Sequence, residues 1–268
     1  MTGARLNLGA ALAEALRRLP DMARGAGGVL VVTAGLALTC AIASLSGWPC
    51  AVVGLATGLA GLAAFGAVTR IGVASDLADA RRLGLGPQGF QLTRTEARLA
   101  GAALLCALFL TIILSLLALV ALALFGAAGL DAGAVRARDW AAVGPAWKLV
   151  LLALVGLVVL GTPVLLLVRL SLFAQATVGR GQMTSLTATT LTNGAMIPLL
   201  AGLVMCAAPM ILWILLTAAG LLSGEIALIG GVVMLAAIQA PLTAAFLGAA
   251  YRQLEHETRQ ASLEGART

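Results

Sequence analysis

The sequence predicts an all-α, polytopic membrane helix bundle of about six transmembrane helices, arranged in three hairpins with interfacial amphipathic helices. Three observations predict it. Of the 268 residues, 61% are hydrophobic and 10% charged, whereas soluble domains carry roughly 45–50% and about 25%. A soluble fold of this size keeps too large a surface fraction to hide so much apolar area. Apolar runs of span length alternate with polar intervals, as transmembrane helices require. One unit also repeats: two apolar spans, then an arginine opening a polar stretch, at Arg70, Arg169 and Arg252. Abundant Gly and Ala with few aromatics suit closely packed membrane helices rather than a β-barrel.

The expected organisation is an interfacial helix over 1–27, a six-span membrane domain over 28–250 and a tail over 251–268. In the first segment Leu8, Leu12, Leu16 and Leu19 recur at helical spacing beside Glu14, Arg17, Arg18 and Asp21, the pattern of a helix lying in the membrane interface. This charged region is too long for a signal peptide. Residues 28–45 and 51–68 are the first two spans, joined by the turn Ser46-Gly47-Trp48-Pro49. Spans of about 18 residues only just reach across a core of about 30 Å, so a re-entrant hairpin is the alternative for this pair.

Residues 70–98 hold a helical first half and a break at Gly84-Leu85-Gly86-Pro87. Thr93 and Glu96 then form a capping-box pattern that starts the third span. That span runs over 99–130 and is long enough to tilt. A loop with Arg136, Arg138, Trp140 and Trp147 leads to the fourth span, 148–168, which contains Pro163. A polar interval over 169–194 precedes the fifth span, 195–222, and the sixth, 226–250. Basic residues divide fourteen to three between the two sides of this topology, which places both termini in the cytoplasm. Trp48, Trp140 and Trp147 then all fall at the outer interface, where belt residues sit.

The stretch Gly84-Leu-Gly-Pro-Gln-Gly-Phe-Gln-Leu-Thr-Arg-Thr-Glu-Ala-Arg98 resembles segments of poorly characterised six-span inner-membrane proteins of alphaproteobacteria. Arg169-Leu-Ser-Leu-Phe-Ala-Gln-Ala-Thr-Val-Gly-Arg-Gly, ending in Leu191-Thr-Asn-Gly194, is similar to their second signature. That signature is loosely shared with the membrane domain of some glycerophosphodiester phosphodiesterases. Gln175 stands where the pattern usually has a proline, and Asn193 where it has a basic residue. The resemblance implies a six-span fold in a bacterial inner membrane and an accessory role near lipids. It implies no catalysis, because the phosphodiesterase chemistry belongs to a soluble domain lacking here.

The residues themselves point to no reaction. The lone histidine, His256, lies between Glu255 and Glu257 in the polar tail, where solvation is the ordinary reading, and no CxxC joins Cys40, Cys50, Cys106 and Cys206. No catalytic group, metal or cofactor is therefore expected, and no basic stripe with interleaved aromatics points to nucleic acid. No ionisable group lies deep in a span, which disfavours ion-coupled transport.

Three sets of candidates remain. Arg70, Arg169 and Arg252 could each grip an anionic lipid phosphate through the planar guanidinium, the alternative being the charge rule of topology alone. Thr162, Pro163, Gln239 and Pro241 could line a pocket where prolines free backbone carbonyls, or could be ordinary kinks satisfied by neighbours. Gly54 and Gly58 form a GxxxG motif for a contact within the chain or between copies of it. The expected function is a non-enzymatic inner-membrane protein that binds lipid or a membrane partner and supports an assembly. A passive channel or uncoupled transporter is the alternative.

Overall fold

The computed structural model describes residues 6–43, 47–129, 131–143, 145–180 and 194–265. The described residues are helical with no strand. Six helices are long and apolar enough to cross a membrane, so the chain is a multi-pass, all-α bundle. Most of the second sequence signature's end, 191–193, lies outside the described residues.

The helices are α1 (Leu8–Ile42), α2 (Trp48–Val73), α3 (Leu77–Arg82), α4 (Arg94–Ala127), α5 (Ala132–Ala137), α6 (Trp140–Val143), α7 (Ala146–Leu170), α8 (Phe173–Arg180), α9 (Met196–Ala218), α10 (Gly224–Met234) and α11 (Ala240–Gly265). A single π-helical turn, Leu235–Gln239, joins α10 to α11 without a break. Two compact units result, Met1–Ala103 with Ser171–Thr268, and Leu104–Leu170.

The first unit departs from expectation at its start. The interfacial segment and the first span form one helix of 35 residues, about 52 Å long. The boundary expected at 27/28 lies inside it. Asn7 caps its first turn, its side chain accepting from the Ala10 amide at 3.1 Å. Pro20 is tolerated within it, and the carbonyl it strands belongs to Leu16 on an exposed face. The buried face is not the leucine stripe but Ala11, Ala15, Met22, Ala26 and Val29. Small side chains let α2 and α11 come close, so this amphipathic segment packs on protein. Helix α2, of 26 residues, is likewise longer than its apolar run.

Close packing also fixes the crossing of α2 and α11. A Cβ placed on Gly248 would stand 2.1 Å from the Gly72 carbonyl oxygen, and one on Gly72 would stand 2.7 Å from that of Ala244. Gly202 receives the Phe246 ring in the same manner. Gly54 and Gly58 are different: both are exposed, and a Cβ on either meets nothing within 4 Å. Of the two alternatives for this motif, a contact within the chain is not made among the described residues.

Between α2 and α4 the chain turns back onto the bundle. Gly84, at φ +89°, ends α3 in a Schellman arrangement: its amide donates to Arg81 at 2.9 Å and that of Leu85 to Ala80 at 3.1 Å. Gly89 then packs against Val29, Ala26 and Ala67, where any side chain would collide. Gln91 accepts from the Gly86 amide at 2.9 Å and donates to the Ala63 carbonyl at 3.5 Å.

In the second unit, the later part of α4 and all of α7 are apolar helices. Their connection is ordered by Asp131, which caps α5 through the Gly133 and Ala134 amides, and by Lys148, which donates to the Gly129 carbonyl at 2.8 Å.

Gly248→Ala should therefore force α2 and α11 apart. A loss of about 1–3 kcal/mol, the usual cost of overpacking, is expected in reversible unfolding in mild detergent. Gly54→Ala and Gly58→Ala should cost nothing in the same measurement, since their added methyl groups meet open space.

Candidate functional site

Helix α2 ends among other helices rather than in water, so its last carbonyls need partners from elsewhere in the chain. Arginines of α1 and α11 supply them. Arg18 donates to the carbonyls of Ile71 at 3.2 Å, Ala74 and Ser75 at 2.9 Å. Arg252 donates to the carbonyls of Gly72 and Ala74, the latter at 3.1 Å. Glu14 completes the cluster, facing Arg252 at 2.7 Å and Arg18 at 3.3 Å. Cations at a helix C-terminus also complement its dipole.

Arg70 belongs to the same last turn and points the other way. It is 0% exposed. It forms an ion pair with Glu96, itself 1% exposed. Its Nε donates to the Leu83 carbonyl at 2.9 Å and its Nη2 to the Thr93 hydroxyl at 3.3 Å. Gly66 makes room for the pair, because a Cβ there would stand 2.6 Å from a Glu96 carboxylate oxygen. Glu96 also accepts from the Thr93 amide at 2.8 Å and the Thr93 hydroxyl at 2.6 Å. The glutamate half of the capping box foreseen at α4 is therefore formed, while the Thr93 hydroxyl accepts from the Thr95 amide at 3.2 Å, and Glu96 does a second task that sequence spacing did not reveal.

The three repeated arginines are thus not equivalent. Arg70 is buried and fully engaged, which corrects the expectation that it reaches a lipid phosphate. Arg252 is largely committed to backbone carbonyls and Glu14. Arg169, at the end of α7 in the second unit, is exposed. A span-end arginine looks the same in sequence whether it faces headgroups or a partner 26 residues on.

The pocket candidates also separate. Thr162 and Pro163 lie in α7 of the second unit and line neither cavity described below. Pro241 lines the larger one, and Gln239 donates to the Thr243 hydroxyl at 3.0 Å beside it. That cavity is a groove of about 780 Å³ between α1 and the α10–α11 helix. Leu16, Leu19, Ala23, Gly27, Val31, Gly35 and Leu38 form its α1 wall. From Leu16 to Leu38 this wall runs about 33 Å, close to the thickness of a hydrocarbon core. Val233, Ala237, Ile238 and Pro241 form the facing wall, around the π turn. No charged side chain lines it.

Sequence inspection missed this groove, although its α1 stripe repeats every three or four residues. Two glycines in the stripe, Gly27 and Gly35, have nothing within 4 Å of an added Cβ. A smaller cavity of about 320 Å³ adjoins the groove, the two sharing Leu30, Ala34 and Ala236. Among the described residues no three His, Cys, Asp or Glu side chains gather as a metal site.

Comparison with protein-family models, with curated proteins and with solved structures finds no match to this chain.

Removing one member of the buried pair should leave the other charged without compensation. Arg70→Gln or Glu96→Gln is expected to cost about 3–5 kcal/mol, and the double variant less than the sum of the two. Arg169→Gln should be silent. A double-mutant cycle on unfolding free energies checks all three outcomes.

Proposed function

We propose that the protein is a non-enzymatic component of a bacterial inner membrane, with both termini cytoplasmic, that holds a phospholipid by its acyl chains and supports a membrane assembly. The observation that carries this reading is the groove between α1 and α10–α11. Its volume, about 780 Å³, lies within the usual range of ligand sites. Its walls are apolar, and its length runs along α1, a helix long and apolar enough to cross a membrane.

The arginine-rich end supplies the charge that a phosphate headgroup calls for. Arg17 and Arg24 are exposed. Each follows a groove-wall residue, Leu16 or Ala23, and so lies about 100° round the helix from it. These two arginines take the place of Arg70 as cations beside the groove for an anionic lipid, Arg24 while facing Asp21 at 3.8 Å. The same observation supports binding over conduction, because a channel needs a polar path and this groove has none. The resemblance to accessory inner-membrane proteins agrees with the reading.

Leucine at Gly27 or Gly35 should fill the groove without disturbing the helix. In native mass spectrometry of protein extracted gently from its membrane, Gly35→Leu is expected to lose most lipid adducts that the unaltered chain carries. Arg17→Gln combined with Arg24→Gln should retain adducts but lose their preference for anionic over zwitterionic lipid. Adducts unchanged by Gly27→Leu and by Gly35→Leu would overturn the proposal.

A further inference from the structure

The two-walled part of the groove lies away from its charged end. Glu14 of α1 meets Arg252 of α11 at 2.7 Å, and further along Leu30 and Ala34 border the same cavities as Ala236. The two helices therefore run antiparallel. Counted back from Arg252, Pro241 comes near the level of Gly27 and Val233 near that of Gly35. The facing wall, from Val233 to Pro241, rises about 12 Å, and so does α1 from Gly27 to Gly35. The grip is thus bounded by two glycines at which an added Cβ meets nothing within 4 Å.

Its distance from the cations bears on what it can hold. Arg24 is the last charged residue of α1. Leu38 stands about 21 Å beyond Arg24 along the helix, and about 31 Å beyond Arg17. One leaflet supplies about 15 Å of hydrocarbon, and a tilt of about 20° shortens the helical distances by less than about a tenth. A chain whose phosphate sits at Arg17 or Arg24 therefore fills the groove to Leu38 only by passing the bilayer midplane. The groove is also narrow. Spread along about 33 Å of wall, its volume of about 780 Å³ leaves a section of about 24 Å², the width of one hydrocarbon chain and not of two. The far end offers no place for a second phosphate. The charge on α10 is Glu225, an anion, so two lipids laid end to end do not match the one-sided charge.

We infer that the groove selects by chain length: its preferred occupant is an anionic phospholipid with an acyl chain long enough to pass the midplane and reach Leu38 and Val233. The sister chain stays in the bilayer. The inference rests on the lipid-binding reading and narrows the class of ligand. Its physical basis is packing. Lipid tails are as apolar as leucine, so a chain gains no hydrophobic energy by leaving the bilayer for the groove. It gains dispersion contacts along both walls, and a stretch left empty forfeits them. A chain that stops near Gly27 leaves the two-walled stretch empty.

The test is competition between phosphatidylglycerols that differ only in their chains: dimyristoyl, dioleoyl and dinervonoyl. Each is present in the same trace amount in nanodiscs of one zwitterionic lipid, which keeps the bilayer thickness constant. Native mass spectrometry of the released protein reads the adducts. The unaltered protein should carry the dinervonoyl lipid over the dimyristoyl lipid by about fivefold, with the dioleoyl lipid between them. Gly35→Leu, at the far end of the grip, should bring that ratio near one. Val233→Phe, on the opposite wall, should do the same. Gly27→Leu should lower adducts of every chain length. A ratio near one in the unaltered protein, or one that survives in a folded Gly35→Leu or Val233→Phe variant, would overturn the inference. Failure of the groove reading looks different: adducts of every chain length would then survive both Gly27→Leu and Gly35→Leu.

Discussion

The last turn of α2 is the constraint on which the first unit depends. A helix end leaves carbonyls without intrahelical partners, and here Gly72 and Ala74 are buried against α1 and α11. Arg18 and Arg252 supply the missing donors from two different helices. Arg70, from the same turn, reaches through Glu96 to the start of α4 and through Leu83 to the end of α3. One helix terminus thereby gathers four other helices. An arginine suits this work because its five donors are spread in a plane, so it can bridge several carbonyls while keeping its charge.

The groove follows from that arrangement. Helices α1 and α11 are fastened together at Glu14 and Arg252, and again where the Asn7 amide donates to the Gln253 side-chain oxygen at 3.1 Å. Some 20 Å further along α1, Gly27 lines the groove with nothing within 4 Å of an added Cβ. A π turn shifts the register of the side chains that follow it, so α10 and α11 present different faces to α1. Tight packing at one end and small residues higher up leave an apolar slot. In water such a surface would demand cover, but in a bilayer acyl chains supply it.

Much of the architecture is legible in the sequence because hydropathy and local turn chemistry act over short distances. The six spans, the break at Gly84-Leu85-Gly86-Pro87 and the capping of α4 by Thr93 and Glu96 all follow local rules. Features set by distant partners are not legible. The continuity of α1 is hidden because its first half carries charges that read as interfacial, whereas Arg18 and Glu14 are engaged with α2 and α11. The burial of Arg70 is hidden because the charge rule says where an arginine sits along the membrane and not which way it faces. Spacing alone also does not say which glycines pack within the chain: contacts form at Gly72, Gly202 and Gly248, whereas Gly54 and Gly58 face open space. The π turn has no sequence signature at all, although Gln239 and Pro241 drew attention to its neighbourhood.

The central claim is that α1 and the α10–α11 helix hold a lipid chain between them. Cryo-electron microscopy of the protein in nanodiscs of its own membrane lipids tests it most directly. The account predicts continuous tubular density along the Leu16 to Leu38 wall, opposite Val233 to Pro241, with its polar end towards Arg17 and Arg24. A groove closed by direct contact between the two helices, or one no better ordered than the surrounding annular lipid, would contradict it.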